Sequence, residues 1–206
     1  MKICLIDGSP KHYGSASGKI IQFLEQRLGT GHDYAHCVSA TAKPQELLDS
    51  MCGCNAIVIA FPLYVDGIPS HLLRLLLSVE KSLAGDAPGS KLYVIVNNGF
   101  YEARQNQLAL DMMRIFCDKA GLEWGQGIGI GGGGMILAIP PDSRLMKNAY
   151  LALGVLAQNI LSGQSAGDIL SDPNIPRFLY IAISNMGWKN MAKKNEVSRK
   201  KLHGKE

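Results

Sequence analysis

The sequence predicts an α/β protein built on a doubly wound parallel sheet, and three observations carry that prediction. Asn55–Phe61 is a continuous apolar run with no polar alternation, the pattern of a central strand covered on both faces. Strand, special loop and helix follow one another in that order three times, at the spacing of right-handed crossover units. A chain of 206 residues with 47% hydrophobic side chains supplies one sizeable core and is short for two full domains.

The first unit is Lys2–Asp7, an apolar run closed by Gly8-Ser9-Pro10, followed by Ile20, Ile21, Phe23, Leu24 and Leu28 at helical spacing. Its loop holds three hydroxyls (Ser9, Ser15, Ser17), Lys11 and small residues, directly before a helix start. Free amides and the positive end of a helix dipole make such a loop a candidate phosphate site. It is not a Walker loop: Gly14 and Gly18 enclose three residues rather than four, and Lys19 is followed by Ile20. Nor does Gly-x-Gly-x-x-Gly open the first helix. The same stretch also suits an ordinary surface connection rich in turn formers.

His32–Val38 reads as the second strand and Lys43–Ser50 as a short helix with Pro44 in its first turn. Asn55–Phe61 empties into Pro62–Pro69, after which Leu72, Leu73, Leu75, Leu76 and Val79 form a helix face. The third unit is Lys91–Val96, the loop Asn97–Glu102, and a helix over Ala103–Lys119 closed by Gly121. A fifth strand falls within Glu123–Ile130. In doubly wound sheets ligands sit beyond the carboxyl ends of the strands, so the loops 8–18, 62–69 and 97–102 are expected to build one site. Gly129–Gly134 matches Gly-x-Gly-x-x-Gly, but no helix and further βα unit follow. Those glycines are expected to admit a ring or a neighbouring backbone at close range. Residues 144–161 read as a helix too apolar for a single stripe, hence buried or shared with another subunit. Pro176–Trp188 reads as one more helix, carrying a basic tail.

The five cysteines are odd in number and lack zinc-finger spacing. Cys4 and Cys37 fall in apolar strand patterns and read as reduced core residues, and Cys52-Gly-Cys54 is the single close pair. From Met186 onward there are seven Lys or Arg (Lys189, Lys193, Lys194, Arg199, Lys200, Lys201, Lys205) against two Glu, leaving the other 185 residues near −1. A solvated helix is the simpler account of that tail, with nucleic acid or anionic membrane as the alternative. No export signal precedes the first strand and no run of roughly eighteen apolar residues occurs, so a cytoplasmic protein without an integral membrane segment is expected.

Gly8-Ser-Pro-Lys with Gly14-Ser-Ala-Ser, Pro62-Leu-Tyr-Val-Asp-Gly-Ile-Pro69 and Asn97-Asn-Gly-Phe-Tyr-Glu102 together resemble the flavodoxin-like NAD(P)H-dependent FMN reductases, over about residues 2–130. The resemblance implies a five-stranded parallel sheet of order 2-1-3-4-5 in a core of residues 1–134. Residues 135–206 would form a helical extension packed on the same domain, basic from about 189. It implies an FMN phosphate held by Ser9, Lys11, Ser15, Ala16, Ser17 and adjacent amides. The isoalloxazine would rest on Pro62, Leu63, Tyr64, Val65, Asp66 and Gly67, with Asn97, Asn98, Gly99, Phe100 and Glu102 on its other side. Relatives often carry Asn-Thr where this chain has Ser15-Ala16, and Ser17 would then supply the missing hydroxyl. Cys52 and Cys54 alone do not supply the four cysteines of the iron–sulfur branch.

The implied function is an FMN-dependent oxidoreductase that takes hydride from NAD(P)H and reduces a quinone, nitro, azo or metal acceptor, as a homodimer and without a nucleic-acid partner. Hydride chemistry belongs to the cofactor, so no catalytic acid is required of the chain. His12, His71 and Glu102 lie in or beside the loops, where a lone His is more often satisfied locally. Two other readings stay open: a flavin-binding or electron-transfer module without nicotinamide turnover, and an interaction protein with a degenerate site.

Overall fold

The structure, a computed structural model, describes residues 1–86 and 89–197, with the side chains of residues 85 and 86 left aside. Arg199, Lys200, Lys201 and Lys205 of the basic tail lie outside the described residues. The chain groups into two units by its internal contacts, Met1–Pro173 and Asn174–Glu206.

In the first unit six strands, β1 (Lys2–Asp7), β2 (Asp33–Val38), β3 (Ala56–Pro62), β4 (Lys91–Asn97), β5 (Glu123–Ile130) and β6 (Ile169–Ser171), form one sheet of order 2-1-3-4-5-6. Every pairing is parallel. The expected order 2-1-3-4-5 is present, but the count of five is corrected to six. The extra strand is three residues long and pairs Ile128–Ile130 with Ile169–Ser171 at the sheet edge.

The helices divide between the two faces as their apolar positions demand. One face packs α2 (Pro44–Met51), α3 (Ser70–Asp86) and α4 (Gln107–Lys119) through Leu47, Leu72, Leu76, Leu110 and Met113. The other packs α1 (Ala16–Leu28) and α6 (Lys147–Ser162) through Ile20, Leu24, Leu153, Leu156 and Ile160. Burying each such side chain contributes roughly 1.5–3 kcal/mol against its ordering cost. A short turn, α5 (Met135–Ala138), separates β5 from α6, and a second turn of tighter helix, Arg144–Met146, leads into α6. The expected helix over Ala103–Lys119 likewise opens with a tight turn, Ala103–Asn106, before α4. Gly121, at φ 66°, follows it, with the Leu122 amide bonded back to Cys117 O at 3.0 Å.

Two of the side chains that join α6 and its trailing segment to the sheet are Tyr93 and Asp168. The Tyr93 ring is fully buried, and its hydroxyl donates to Gln164 O at 3.0 Å. The ring fits because β5 carries one extra residue opposite Leu92/Tyr93, and a Cβ on Gly125 there would lie 2.5 Å from Tyr93 Cε1. Asp168 is the second: its carboxylate accepts from Arg114 Nη2 (2.6 Å), Trp124 Nε1 (3.2 Å) and the Gly127 amide (2.7 Å). The segment before β6 closes the rest of the β5 edge, with Ser165 Oγ donating to Trp124 O and the Ala166 amide to Gly125 O, each at 2.8 Å.

In the second unit α7 spans Arg177–Lys194, running past the expected end at Trp188. None of its residues is buried. No helix among the described residues is long and apolar enough to cross a membrane.

Candidate functional site

The strand order reverses between β1 and β3, and the loops leaving β1, β3 and β4 meet at that edge, as the topology requires. They enclose a cavity of about 220 Å³. Ser9, Lys11, Ser15, Ala16 and Ser17 line it from the first loop, Pro62, Leu63 and Tyr64 from the second, and Asn97, Asn98 and Gly99 from the third. Val65, Asp66, Gly67, Phe100 and Glu102 do not line it. A larger groove of about 630 Å³ runs along α6. Position at the switch point, rather than volume, singles out the smaller one.

The first loop is built around Asp7. Its carboxylate accepts from the Ser9 amide at 2.9 Å and from Ser15 Oγ at 2.8 Å. Ser15 is also the N-cap of α1, accepting from the Gly18 amide at 2.7 Å, so its single proton is committed to Asp7. Ser9 Oγ accepts from the Lys11 amide at 3.2 Å and Ser17 Oγ from Asn97 Nδ2 at 3.0 Å, which leaves both hydroxyl protons available for a ligand. The amides of Ala16 and Ser17, first in α1, have no intrahelical acceptor. Burial pushes the Asp7 carboxyl above its ordinary range, and its two hydrogen bonds oppose that. His71, 3.0 Å from Ser39 Oγ, is held below its usual value chiefly by burial, so it is neutral at pH 7.

Asn97 ties the three loops together. Its side-chain amide donates to Ser17 Oγ and, at 3.1 Å, to Phe61 O, while its carbonyl accepts from the Leu63 amide at 2.8 Å. Asn98 shapes the loop it starts, accepting from the Phe100 amide at 2.9 Å and donating to Glu102 O at 3.2 Å. In the middle loop, Tyr64 and Gly67 exchange both backbone hydrogen bonds at 3.0 Å around Val65 and Asp66. Both central residues have positive φ (47° and 56°), which turns Val65 fully outward at 99% exposure. That explains why the middle of the Pro62–Gly67 motif misses the cavity. Tyr64 and Phe100 stand half-exposed.

Besides Pro10, which lines the cavity between Ser9 and Lys11, sequence reasoning missed four residues here. Gly133, Gly134 and Leu137 line the cavity together with the three loops. A Cβ on Gly133 would lie 2.8 Å from Asn97 Oδ1 and 3.0 Å from Asn98 O, so this glycine admits a neighbouring backbone as expected of the run. The signal was four glycines at the carboxyl end of the fifth strand, the same edge as the three loops. Asp7 is the fourth, and its signal was an acid ending a buried strand just before Gly8-Ser9.

No family model matches the chain, and no curated protein matches it. Solved structures do. An NADH:FMN oxidoreductase (EmoB, apo form) is similar at TM-score 0.62 and 17% identity, over 80% of this chain and 90% of that one. A flavodoxin of Streptococcus pneumoniae TIGR4 is similar at TM-score 0.57 and 14% identity, over 79% and 99%. An NADPH-quinone reductase from P. pentosaceus gives TM-score 0.54 and 17% identity, over 77% and 96%. At these identities the likeness is one of fold, and it agrees with the resemblance read from the three loops: the chain has the flavodoxin-like α/β fold.

Proposed function

We propose that the chain is an FMN-binding oxidoreductase that takes hydride from NAD(P)H and passes electrons to a small acceptor. One observation carries the reading: three separate loops meet in a cavity whose lining combines the Ser9 and Ser17 hydroxyls and Lys11 with the apolar side chains of Pro62, Leu63 and Leu137 and the ring of Tyr64. The donor set fits a phosphate monoester. Lys11, the Ser9 and Ser17 hydroxyls and the first amides of α1 would hold it, and hydrogen bonds to a charged group contribute roughly 1.5–3 kcal/mol each. Ser15 would act through Asp7 and the helix start rather than on the phosphate itself. Pro62, Leu63, Tyr64 and Leu137 offer apolar surface for a ring system, with Phe100 at the margin. When bound, FMN supplies hydride acceptance and onward electron transfer, and the chain's task is to bind it, orient it and shield it from water.

A homodimer in the cytoplasm is part of the same proposal, supported by Leu151, Val155 and Leu161, which stand exposed on α6 while its other face is buried. The flavodoxin among the neighbours supports a second reading, an electron-transfer module without nicotinamide turnover.

Titration with FMN and with riboflavin tests the site, comparing the wild type with Lys11→Met. FMN should bind, and the substitution should weaken it tenfold or more while leaving riboflavin unchanged. Equal losses for both ligands would mean the phosphate is placed wrongly. Anaerobic addition of NADH or NADPH to the flavin-loaded protein separates the readings: bleaching of the flavin band supports the reductase, and an unchanged spectrum supports the module.

A further inference from the structure

We propose that His71 is a positioning residue for the phosphate end of the site, holding Ser9 in place while Ser39 fixes its ring. The inference rests on the FMN reading above, in which the Ser9 hydroxyl is a phosphate donor. α3 begins at Ser70, so His71 lies in its first turn, and that turn bears directly on the first loop. A Cβ on Gly8 would lie 2.7 Å from Cδ2 of Leu72, the residue after His71, and 2.8 Å from Phe61 Cβ. Glycine at position 8 is what lets helix and loop meet. On the other side stands Ser39, buried directly after β2. Its amide donates to Asp7 O at 2.9 Å, and its hydroxyl lies 3.0 Å from His71 Nε2.

The ring's second hydrogen bond is with the Ser9 backbone, and because it favours the imidazolium it is one that the ring donates, to the Ser9 carbonyl. With Nε2 facing Ser39, Nδ1 is the nitrogen left to carry that proton. Nε2 of the neutral ring then accepts from Ser39 Oγ. Burial, helped by Arg74 further along α3, keeps the ring neutral against the pull of the Ser9 carbonyl and of Asp7. The consequence falls on Ser9. Its amide donates to Asp7 Oδ1 at 2.9 Å, its Oγ accepts from the Lys11 amide at 3.2 Å, and its carbonyl accepts from His71. Only the hydroxyl proton remains for a ligand, on an oxygen whose place is fixed from three directions. His71 acts from behind the loop, since it does not itself line the cavity. Leucine in its place would leave the Ser9 carbonyl and the buried Ser39 hydroxyl unpaired, whereas asparagine carries a donor at about the reach of Nδ1.

The test titrates the full chain with FMN and with riboflavin, in the wild type, His71→Leu, His71→Asn, Ser9→Ala and the double variant Ser9→Ala/His71→Leu. His71→Leu should weaken FMN binding about tenfold and leave riboflavin unchanged, which also shows that the variant is folded. His71→Asn should recover most of that loss. In the Ser9→Ala background, His71→Leu should cost FMN less than about twofold, because the hydroxyl it positions is gone. An undiminished loss in that background would overturn the proposal, as would equal losses for both ligands. Nitrogen-15 spectra of the unliganded wild type give a readout that needs neither variant nor flavin: near pH 7 the His71 ring should carry its proton on Nδ1, and a proton on Nε2 instead would overturn the proposal. A wild type that binds no FMN would overturn the FMN reading and this inference with it. FMN bound by the wild type and held equally well by His71→Leu would overturn this inference alone.

Discussion

Replacing Ser15 with alanine removes, in one oxygen, both the cap of α1 and a hydrogen bond to a carboxylate. The cap contributes about 1 kcal/mol. The 2.8 Å bond to Asp7 contributes roughly 1.5–3 kcal/mol while Asp7 is ionised. Ser15→Ala should therefore cost about 2.5–4 kcal/mol at pH 7, read from urea denaturation of the protein without added ligand. Asp7 provides a second readout through pH. Its carboxyl is raised by burial, so its contribution to stability is complete below the ordinary carboxylate range and is lost as pH climbs through the folded-state value. Ser15 is one of the two bonds opposing that rise, and without it the loss deepens. The penalty of Ser15→Ala should shrink toward the cap contribution alone, about 1 kcal/mol, near pH 3.5 where Asp7 is protonated. Ser15→Thr keeps the hydroxyl and should stay within about 0.5 kcal/mol of wild type. A loss below about 1 kcal/mol at pH 7, or one that does not change with pH, would refute this account of the loop.

Val65 sits at φ 47° and 99% exposure, so Val65→Asn relieves backbone strain without losing packing and should gain about 1 kcal/mol, a melting point higher by roughly 2–4 °C. Asp168→Ala strands three donors and should cost roughly 3–5 kcal/mol in denaturant, with faster hydrogen exchange at the Gly127 amide. Burial, with Glu123 adding to it, pushes the Tyr93 phenol up to about 12, so an absorbance titration should show one late tyrosinate that Tyr93→Phe removes. Because that value lies above the ordinary one, the stability Tyr93 gives is present at neutral pH and lost as pH rises past about 10 toward 12.

The central strands were legible because they are buried on both sides: Ala56–Pro62 and Lys91–Asn97 need no polar alternation, and their runs have no competing period. The edge strand β6 was not. Three residues carry no periodicity, and what holds Ile169–Ser171 in place is pairing to β5 beside a carboxylate whose partners are as much as 54 residues away. For the site, the sheet edge followed from topology, and eleven of the sixteen candidate residues line the cavity. The misses have local causes. Val65 and Asp66 are swung outward by a turn whose positive φ values contradict the preference of a β-branched residue. Asp7 read as the end of a strand because its importance lies in what it accepts, and that depends on Ser15 eight positions on. The helix past Trp188 was cut short because lysines were read as a tail, although Lys, Ala and Met are good helix formers.

The closure of β5 constrains how this protein can meet others. Its outward edge is occupied residue by residue, by Ser165 and Ala166 at Trp124 and Gly125, by Asp168 at Gly127, and by β6 from Ile128 onward. What remains along that side is the outer side of β6, only three residues long, a very short template for strand addition from a second chain, the route by which exposed edges lead to open-ended assembly. A continuous sheet running through two copies is therefore barred at β5. Association on that side rests on helices and side chains, or on a strand contact no longer than the three residues of β6.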